Sequence, residues 1–173
     1  AHSLGGLLAQ RLAAQERIAG LVLLASLPPE GMFFVGPRFA ATDTLIWLEA
    51  LTGSLAKTGA PIRDAARRLL AGEGLPPALV ERYAPRMGPE SARALAEAHA
   101  PGVVPSAGIA GIPCLVLGGR LDRLILRATA LRTALYHRAE FRTVAGMGHF
   151  MPLDPGADRL AADVMDWIDG VVS

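Results

Sequence analysis

The chain opens on Ala1-His-Ser-Leu-Gly-Gly6, a stretch that combines a serine with two glycines and leads into a helical pattern. Residues 4–17 repeat leucines at helical spacing, which predicts a helix beginning at Ser3. A serine hydroxyl becomes a useful nucleophile only on a tight turn, where a base can reach it and backbone amides can stabilise an oxyanion. The stretch therefore predicts such a turn, with Ser3 as the candidate nucleophile and the Leu4 N–H as the first oxyanion donor.

The apolar runs further along the chain predict strands. Residues 18–26, IAGLVLLAS, are almost continuously apolar and end at two prolines, a pattern typical of a parallel strand that is covered on both faces. Residues 112–119, IPCLVLGG, repeat this pattern. The pattern after these strands predicts a helix at 127–137, a short strand at 140–144 and a final helix from about 156 to 170. This alternation predicts an α/β fold in which flanking helices cover parallel strands.

The segment between the two apolar runs has a different character. Proline and glycine divide residues 28–111 into helical stretches. The predicted helices lie near residues 39–58, 61–71, 76–87 and 89–99. We interpret the segment as a helical insertion in a core formed by residues 1–27 and 112–173.

Two later motifs supply a candidate acid and a candidate base. Leu115-Val-Leu-Gly-Gly-Arg-Leu-Asp122 is an apolar strand that opens into a Gly-Gly turn and an aspartate, where open α/β sheets place their sites. Val144-Ala-Gly-Met-Gly-His149 ends a short strand in a glycine-rich loop that presents a histidine, the residue type best suited to proton transfer near neutral pH. Asp154 is the alternative acid, but it shares a loop with His149 and is expected to lie too near in sequence to reach Nδ1.

Together these motifs resemble the α/β-hydrolase superfamily of esterases, lipases and lysophospholipases. The serine turn, the strand with its acid and the Gly-His loop occur in the chain order Ser, Asp, His, each after a strand. Ala1 departs from the family, which usually has glycine there. The resemblance implies a catalytic triad of Ser3, Asp122 and His149 in the C-terminal part of an α/β-hydrolase fold, with residues 28–111 as an inserted helical cap.

The resemblance covers the whole chain but only the later part of the family domain, which implies a fragment. The strand that enters the serine turn, and the loop that carries the second oxyanion donor, are expected before residue 1. We therefore expect residues 20–25 to form a strand without its natural neighbour, which favours association. The isolated chain is expected to be poorly soluble or oligomeric and nearly inactive.

In function, the resemblance implies a serine hydrolase that cleaves carboxylic esters through an acyl-enzyme and needs no cofactor. The expected partner is a small hydrophobic ester substrate, bound in an apolar pocket by Met32, Phe33, Phe34 and Trp47. A thioesterase, a C–C bond hydrolase or a cofactor-free haloperoxidase would use the same triad. A truncated, non-catalytic protein that keeps the motifs without assembling the site is the alternative from another class.

The remaining histidines and the single cysteine are interpreted as structural. His2 is expected to pack in the serine turn, His99 and His137 to be solvated at polar helix ends, and Cys114 to be buried in its apolar strand. The four histidines and one cysteine show no metal-ligand spacing such as C-x-x-C or H-E-x-x-H, so no metal is predicted.

The overall composition excludes several classes of protein. Of the 173 residues, 51% are hydrophobic and 19% are charged, which indicates a globular domain rather than a disordered chain. The 17 basic and 16 acidic residues leave a net charge of +1 without long charged runs, so nucleic-acid binding is not expected. No apolar run is long enough to be a transmembrane segment. One cysteine requires no oxidising compartment, which favours a cytoplasmic location, while the oligomeric state stays open.

Overall fold

The computed structural model describes residues 1–42, 44, 48, 67, 75–88 and 91–172. Trp47 and most of the helical segments predicted at 39–58 and 61–71 lie outside the described residues. None of the helices in the described part of the chain has both the length and the apolar character needed to cross a membrane.

Three parallel strands form the sheet within the described residues, in the order β1-β2-β3. They are β1 (Leu21–Leu24), β2 (Cys114–Gly119) and β3 (Glu140–Val144). The register places Leu23 opposite Val116, and Val116 opposite Phe141. Parallel strands need crossover connections, and helices supply them here. The predicted α/β fold with a parallel sheet is confirmed.

Six α-helices lie within the described residues. They are α1 (Ser3–Ala13), α2 (Val35–Thr42), α3 (Pro77–Tyr83), α4 (Ala92–His99), α5 (Arg127–His137) and α6 (Ala157–Val172). Single 3₁₀ turns follow at Ala84–Arg86 and Met151–Leu153. The bounds of α5 and β3 agree with the sequence prediction. Helix α1 begins at Ser3 as predicted but ends at Ala13 rather than at residue 17, and α2 begins earlier than the predicted residue 39.

The sheet has a hydrophobic core on each face, because alternate residues of a strand point to opposite sides. One core includes Leu7, Leu21, Leu23, Val116, Ile125 and Ala130, from α1, the strands and α5 with the loop before it. The other includes Leu115, Leu117, Met147, Met151, Leu160 and Trp167, from β2, the loop after β3 and α6. Two buried faces explain why the strands read as nearly continuous apolar runs. Cys114 is buried as predicted, and burial raises the pKa of its thiol to about 12.

The first two residues lie along β1. The Leu24 N–H donates to the Ala1 carbonyl at 2.8 Å, and His2 forms a parallel bridge with Leu24. The sequence predicts that residues 20–25 form a strand that lacks its natural neighbour. In the structure, Ala1 and His2 occupy one end of that neighbouring position beside β1. This pairing fixes the backbone that leads directly into Ser3.

A close approach at Gly6 brings α1 against the end of β1. A Cβ atom at this position would lie 2.2 Å from Ser26 Oγ, a distance that no side chain could tolerate. Gly5, one residue earlier, has nothing within 4 Å of the same hypothetical atom. Of the two glycines in the serine turn, Gly6 is therefore the one required by packing.

A buried polar cluster, the Gln10 cluster, connects α1 to the end of α5. The Gln10 side-chain N–H₂ donates to Ser26 Oγ at 2.9 Å and to the Leu27 carbonyl at 2.8 Å. Its oxygen lies 2.9 Å from His137 Nε2, and the Ala107 N–H donates to His137 Nδ1 at 3.0 Å. The prediction that His137 is solvated is wrong, because its ring is fully buried among these partners. His99 is exposed, as predicted.

Candidate active site

Ser3 occupies a strained turn between an extended residue and a helix. His2 has φ −120° and ψ 142°, whereas Ser3 has φ 51°, in the left-handed region that non-glycine residues rarely adopt. Such strain costs of order 1–3 kcal/mol and occurs preferentially at functional sites. A serine held in this way at the entry to a helix has the geometry of a nucleophile elbow.

Helix α1 directs free backbone amides toward the same point. Leu4 lies in the first turn of α1, where a backbone N–H has no acceptor within the helix. The positive end of the helix dipole adds to the attraction for a negative charge at this position. This location at the start of α1 is the one that the predicted role of the Leu4 N–H as an oxyanion donor requires.

Asp122 follows the carboxyl end of β2 and is held by its own loop. Its Oδ1 accepts hydrogen bonds from the Leu124 and Ile125 N–H groups, each at 2.8 Å. Its Oδ2 lies 3.1 Å from His149 Nδ1, and the carboxylate side chain is fully buried. Two backbone donors on one oxygen fix the orientation of the other oxygen toward the histidine.

His149 lies between the aspartate and the serine. Its Nε2 is 2.8 Å from Ser3 Oγ, so both ring nitrogens have partners, and the residue is only 2% exposed. A carboxylate can only accept a hydrogen bond, so Nδ1 carries the proton and donates it to Asp122. Nε2 is then free to accept the hydroxyl proton of Ser3.

Backbone contacts hold the loops of Asp122 and His149 together. The Leu121 N–H donates to the Met147 carbonyl at 2.9 Å. A Cβ atom at Gly119, the last residue of β2, would lie 2.5 Å from the carbonyl oxygens of both Met147 and Gly148. The absence of a side chain at Gly119 therefore allows the loop of His149 to approach the end of β2 and Asp122.

The alternative acid, Asp154, has a different partner. Its Oδ1 accepts a hydrogen bond from the Gly156 N–H at 2.9 Å, just before α6 begins. The hydrogen-bonding position at His149 Nδ1 is taken by Asp122. The structure thus groups Ser3, His149 and Asp122, and leaves Asp154 to stabilise the turn before α6.

His2 packs in the elbow, as predicted, and also contacts the histidine loop. Its Nε2 lies 2.7 Å from the backbone carbonyl oxygen of His149. Its ring centroid is 5.0 Å from that of His149 and 6.1 Å from that of Phe150. Burial, followed by the proximity of His149, lowers the pKa of His2 to about 4.

A cleft of about 520 Å³ lies beside Ser3. Its lining residues are His2, Ser3, Leu4, Gly5, Leu8, Leu27, Met32, Leu95, Ala98, Leu124, His149 and Phe150. None of these described residues carries a carboxylate, an ammonium or a guanidinium group. The described part of the chain also contains no group of three or more His, Cys, Asp or Glu side chains that could hold a metal ion.

Of the predicted substrate-binding residues, Met32 lines the cleft, whereas Phe33 and Phe34 do not. The two phenylalanine rings contact each other edge to face, with centroids 4.9 Å apart, and Phe34 is 62% exposed. Met32 and Val35 share the inner side of a helical turn, which turns the residues between them outward. Trp47 lies outside the described residues.

Sequence reasoning missed most of the apolar lining. Leu124 and Phe150 follow the candidate acid and base within two residues, so their position near the site could have been inferred from the motifs. Leu95 and Ala98 come from α4, far along the chain, and no motif marks them. Their place in the cleft depends on how the helical segment packs over α1.

Parallel strands, a serine on a strained turn and a Ser-His-Asp hydrogen-bond chain define an α/β protein of the hydrolase type. The chain belongs to the α/β hydrolase family, which matches residues 1–163. A search of the curated proteins gives no match.

Solved structures with the same fold include two whose names say esterase. MenH from S. aureus has a TM-score of 0.70 and 16% identity, over 99% of this chain and 67% of that protein. A thermophilic esterase from Thermogutta terrifontis has a TM-score of 0.71 and 18% identity, over 99% and 64%. The esterase RhEst1 from Rhodococcus sp. ECU1013 has a TM-score of 0.62 and 18% identity, over 98% and 64%. At these identities the likeness establishes the fold, and this chain spans about two thirds of each protein.

Proposed function

We propose that the full protein is a serine hydrolase that cleaves carboxylic esters of hydrophobic substrates. The observation that carries the proposal is the continuous hydrogen-bond chain from Ser3 Oγ through the His149 ring to the buried Asp122 carboxylate. It lies at the carboxyl ends of the parallel strands, where α/β folds place their sites. The left-handed backbone of Ser3 supports the same reading, because strain is retained where function requires it.

In the first half of the proposed reaction, Ser3 Oγ attacks the ester carbonyl carbon while His149 Nε2 accepts the hydroxyl proton. Asp122 stabilises the imidazolium that forms and keeps its ring oriented. The Leu4 N–H donates to the oxyanion of the tetrahedral intermediate. His149 then returns the proton to the departing alcohol, which leaves an acyl group on Ser3.

In the second half, a water molecule replaces the alcohol. His149 removes a proton from the water, which attacks the acyl carbon, and the same oxyanion donor stabilises the second intermediate. Return of the proton to Ser3 Oγ releases the carboxylic acid. Each proton moves through Nε2, while Nδ1 keeps its proton against Asp122 throughout.

The cleft favours an uncharged, hydrophobic substrate. The described side chains that line it are apolar apart from Ser3 and the two histidines, so a charged substituent would lose its hydration without gaining a charged partner among them. Residues 28–111 are proposed to form a cap. Met32, Leu95 and Ala98 come from this segment and line the cleft beside Ser3, which supports the assignment.

A fluorophosphonate probe, applied to the full protein, tests the proposal. Wild-type protein should be labelled at Ser3 and should hydrolyse short-chain p-nitrophenyl esters, whereas Ser3→Ala should lose labelling and about 10⁶-fold in turnover. Ser26→Ala is the control, because Ser26 is a serine near the end of β1 that bonds to Gln10 rather than to a histidine. It should keep full labelling.

Two results would contradict the proposal. Labelling that persists in Ser3→Ala would exclude Ser3 as the nucleophile. Turnover of the thioester analogue that far exceeds turnover of the matched oxyester would keep the triad but replace ester hydrolysis by thioester hydrolysis.

A further inference from the structure

His2 contacts the candidate base at a different atom from Ser3. Its Nε2 lies 2.7 Å from the His149 carbonyl oxygen, while Ser3 Oγ lies 2.8 Å from His149 Nε2. Two consecutive residues of the elbow therefore hold one histidine by its backbone and by its ring. These two contacts connect the turn of His2 and Ser3 to the loop that carries His149, 146 residues after Ser3 in the chain.

The partner atom fixes the tautomer of His2. A carbonyl oxygen can only accept a hydrogen bond, so Nε2 must carry the proton and donate it. The ring that donates is half-buried and tilted 49° to the His149 ring. The backbone of His2 is in turn held by its parallel bridge to Leu24, so the donor is attached to the sheet and not to a free loop.

We propose that His2 is a positioning residue, which sets the His149 ring against Ser3 by holding the His149 backbone carbonyl through its Nε2–H. The proposal rests on the proposed function of His149 as the base. His2 does not touch the reacting atoms in this mechanism; it acts through the loop of His149. The Leu121 N–H already holds Met147 in the same loop, and the His2 contact adds a second anchor at His149 itself.

The charge state of His2 suits this role. The titratable groups that face its ring are His149, Asp122 and the Ala1 amino group, and burial has the largest effect, lowering its pKa to about 4. His2 is therefore neutral near pH 7. A cation at this position would oppose the imidazolium that forms on His149 during the reaction, whereas a neutral donor holds the loop without this cost.

A matched pair of variants separates positioning from simple packing. His2→Gln keeps an N–H donor at a reach similar to that of Nε2, and His2→Phe keeps a ring of similar shape without the donor. If the hydrogen bond positions His149, His2→Phe should lower kcat by about 10- to 100-fold with KM changed by less than about threefold, as expected for a misplaced base. His2→Gln should recover most of this loss.

The rate of fluorophosphonate labelling gives a second measure that does not depend on the choice of ester. Labelling of Ser3 should slow in His2→Phe and recover in His2→Gln, while thermal unfolding shows both variants folded. A His2→Phe protein with wild-type kcat and labelling rate, or a His2→Gln protein as slow as His2→Phe, would overturn the proposal. Unlabelled wild-type protein would instead contradict the proposed function.

Nitrogen NMR of the imidazole rings tests the contact without any turnover. In the full wild-type protein near neutral pH, His2 should give the signals of a neutral ring protonated at Nε2. A ring protonated at Nδ1 alone, or a charged ring, would overturn the proposal whatever the enzyme's activity, because neither agrees with a neutral Nε2–H donor to the His149 carbonyl.

Discussion

His149 and His137 are both almost completely buried, and both rings have partners at each nitrogen, but the partners differ in kind. His149 lies between a carboxylate and a hydroxyl at the edge of a cleft. His137 lies between a side-chain amide oxygen and a backbone N–H inside the Gln10 cluster. In the proposed mechanism, the His149 ring exchanges a proton with Ser3, whereas the His137 ring only holds its partners in place.

The comparison shows that burial and hydrogen bonding do not by themselves identify a base. Burial lowers the pKa of His137 to about 4, and none of the charged groups in the described residues offsets this loss of hydration. His149, by contrast, has the Asp122 carboxylate as the partner of its Nδ1. The chemistry of the partner on Nδ1 therefore separates the proposed catalytic histidine from the structural one.

Replacing each histidine by alanine gives the sharpest test of this contrast. His149→Ala should lower ester turnover by about 10⁶-fold while the protein stays folded. His137→Ala should keep turnover but lose stability, because Gln10 Oε1 and the Ala107 N–H would each lack a partner at a cost of about 1–3 kcal/mol. Turnover and urea unfolding measure the two effects. A folded His137→Ala protein without activity would break the distinction.

The two aspartates near His149 offer a second test. Asp122→Asn should lower kcat by about 10⁴-fold, because an amide would favour the wrong imidazole tautomer. Asp154→Asn is the matched control, since the Asp154 carboxylate accepts a hydrogen bond from the Gly156 N–H, whereas Asp122 holds His149 Nδ1. It should leave kcat within a few-fold of wild type. Steady-state kinetics on both variants would contradict the assignment if Asp154→Asn were the more damaging change.

The smallest expected effect concerns pH. His137 has an ordinary pKa of 6.5 and a folded pKa of about 4. The stability that its neutral ring contributes is therefore complete above pH 6.5, and it is lost on acidification because the unfolded chain takes up a proton first. Between about pH 7 and about pH 5 this amounts to about 2 kcal/mol of unfolding free energy.

His137→Gln keeps a donor for Gln10 but removes the group that titrates. Between about pH 7 and about pH 5, the free energy of unfolding of this variant should therefore fall by about 2 kcal/mol less than that of the wild type. His99→Gln is the control, because His99 also ends a helix but has an exposed ring. Urea unfolding at several pH values provides the measurement. Parallel pH curves for wild type and His137→Gln would contradict the assignment of His137 as a buried neutral ring.

Much of the fold follows from local patterns in the sequence. Helix α5 and strand β3 have the predicted bounds because short apolar strands and helical spacing are properties of neighbouring residues. Ser3, Asp122 and His149 could be selected together because Ser3 stands in a glycine-rich turn before a helix and the other two each follow a strand. Parallel strands bring their carboxyl ends to one edge of the sheet.

The burial and the hydrogen-bond partners of His137 could not be predicted from neighbouring residues. Its neighbours in sequence, Tyr136 and Arg138, suggest a polar helix end, whereas its burial depends on Gln10, which is 127 residues away. The hydrogen bond from His2 to the His149 carbonyl could not be predicted from the sequence for the same reason. Long-range polar contacts have no periodicity, so they become visible only once the layers are packed.

The spacing between Ser3 and His149 has a consequence during translation. The two residues are separated by 146 positions, and a ribosome adds roughly 5 to 20 residues per second, so the base follows the serine by roughly 7 to 30 s. In the proposed mechanism, the Ser3 hydroxyl lacks the His149 ring as its proton acceptor over that interval. Ser3 is then expected to stay unreactive toward esters until β3 and His149 have been made and have joined the sheet.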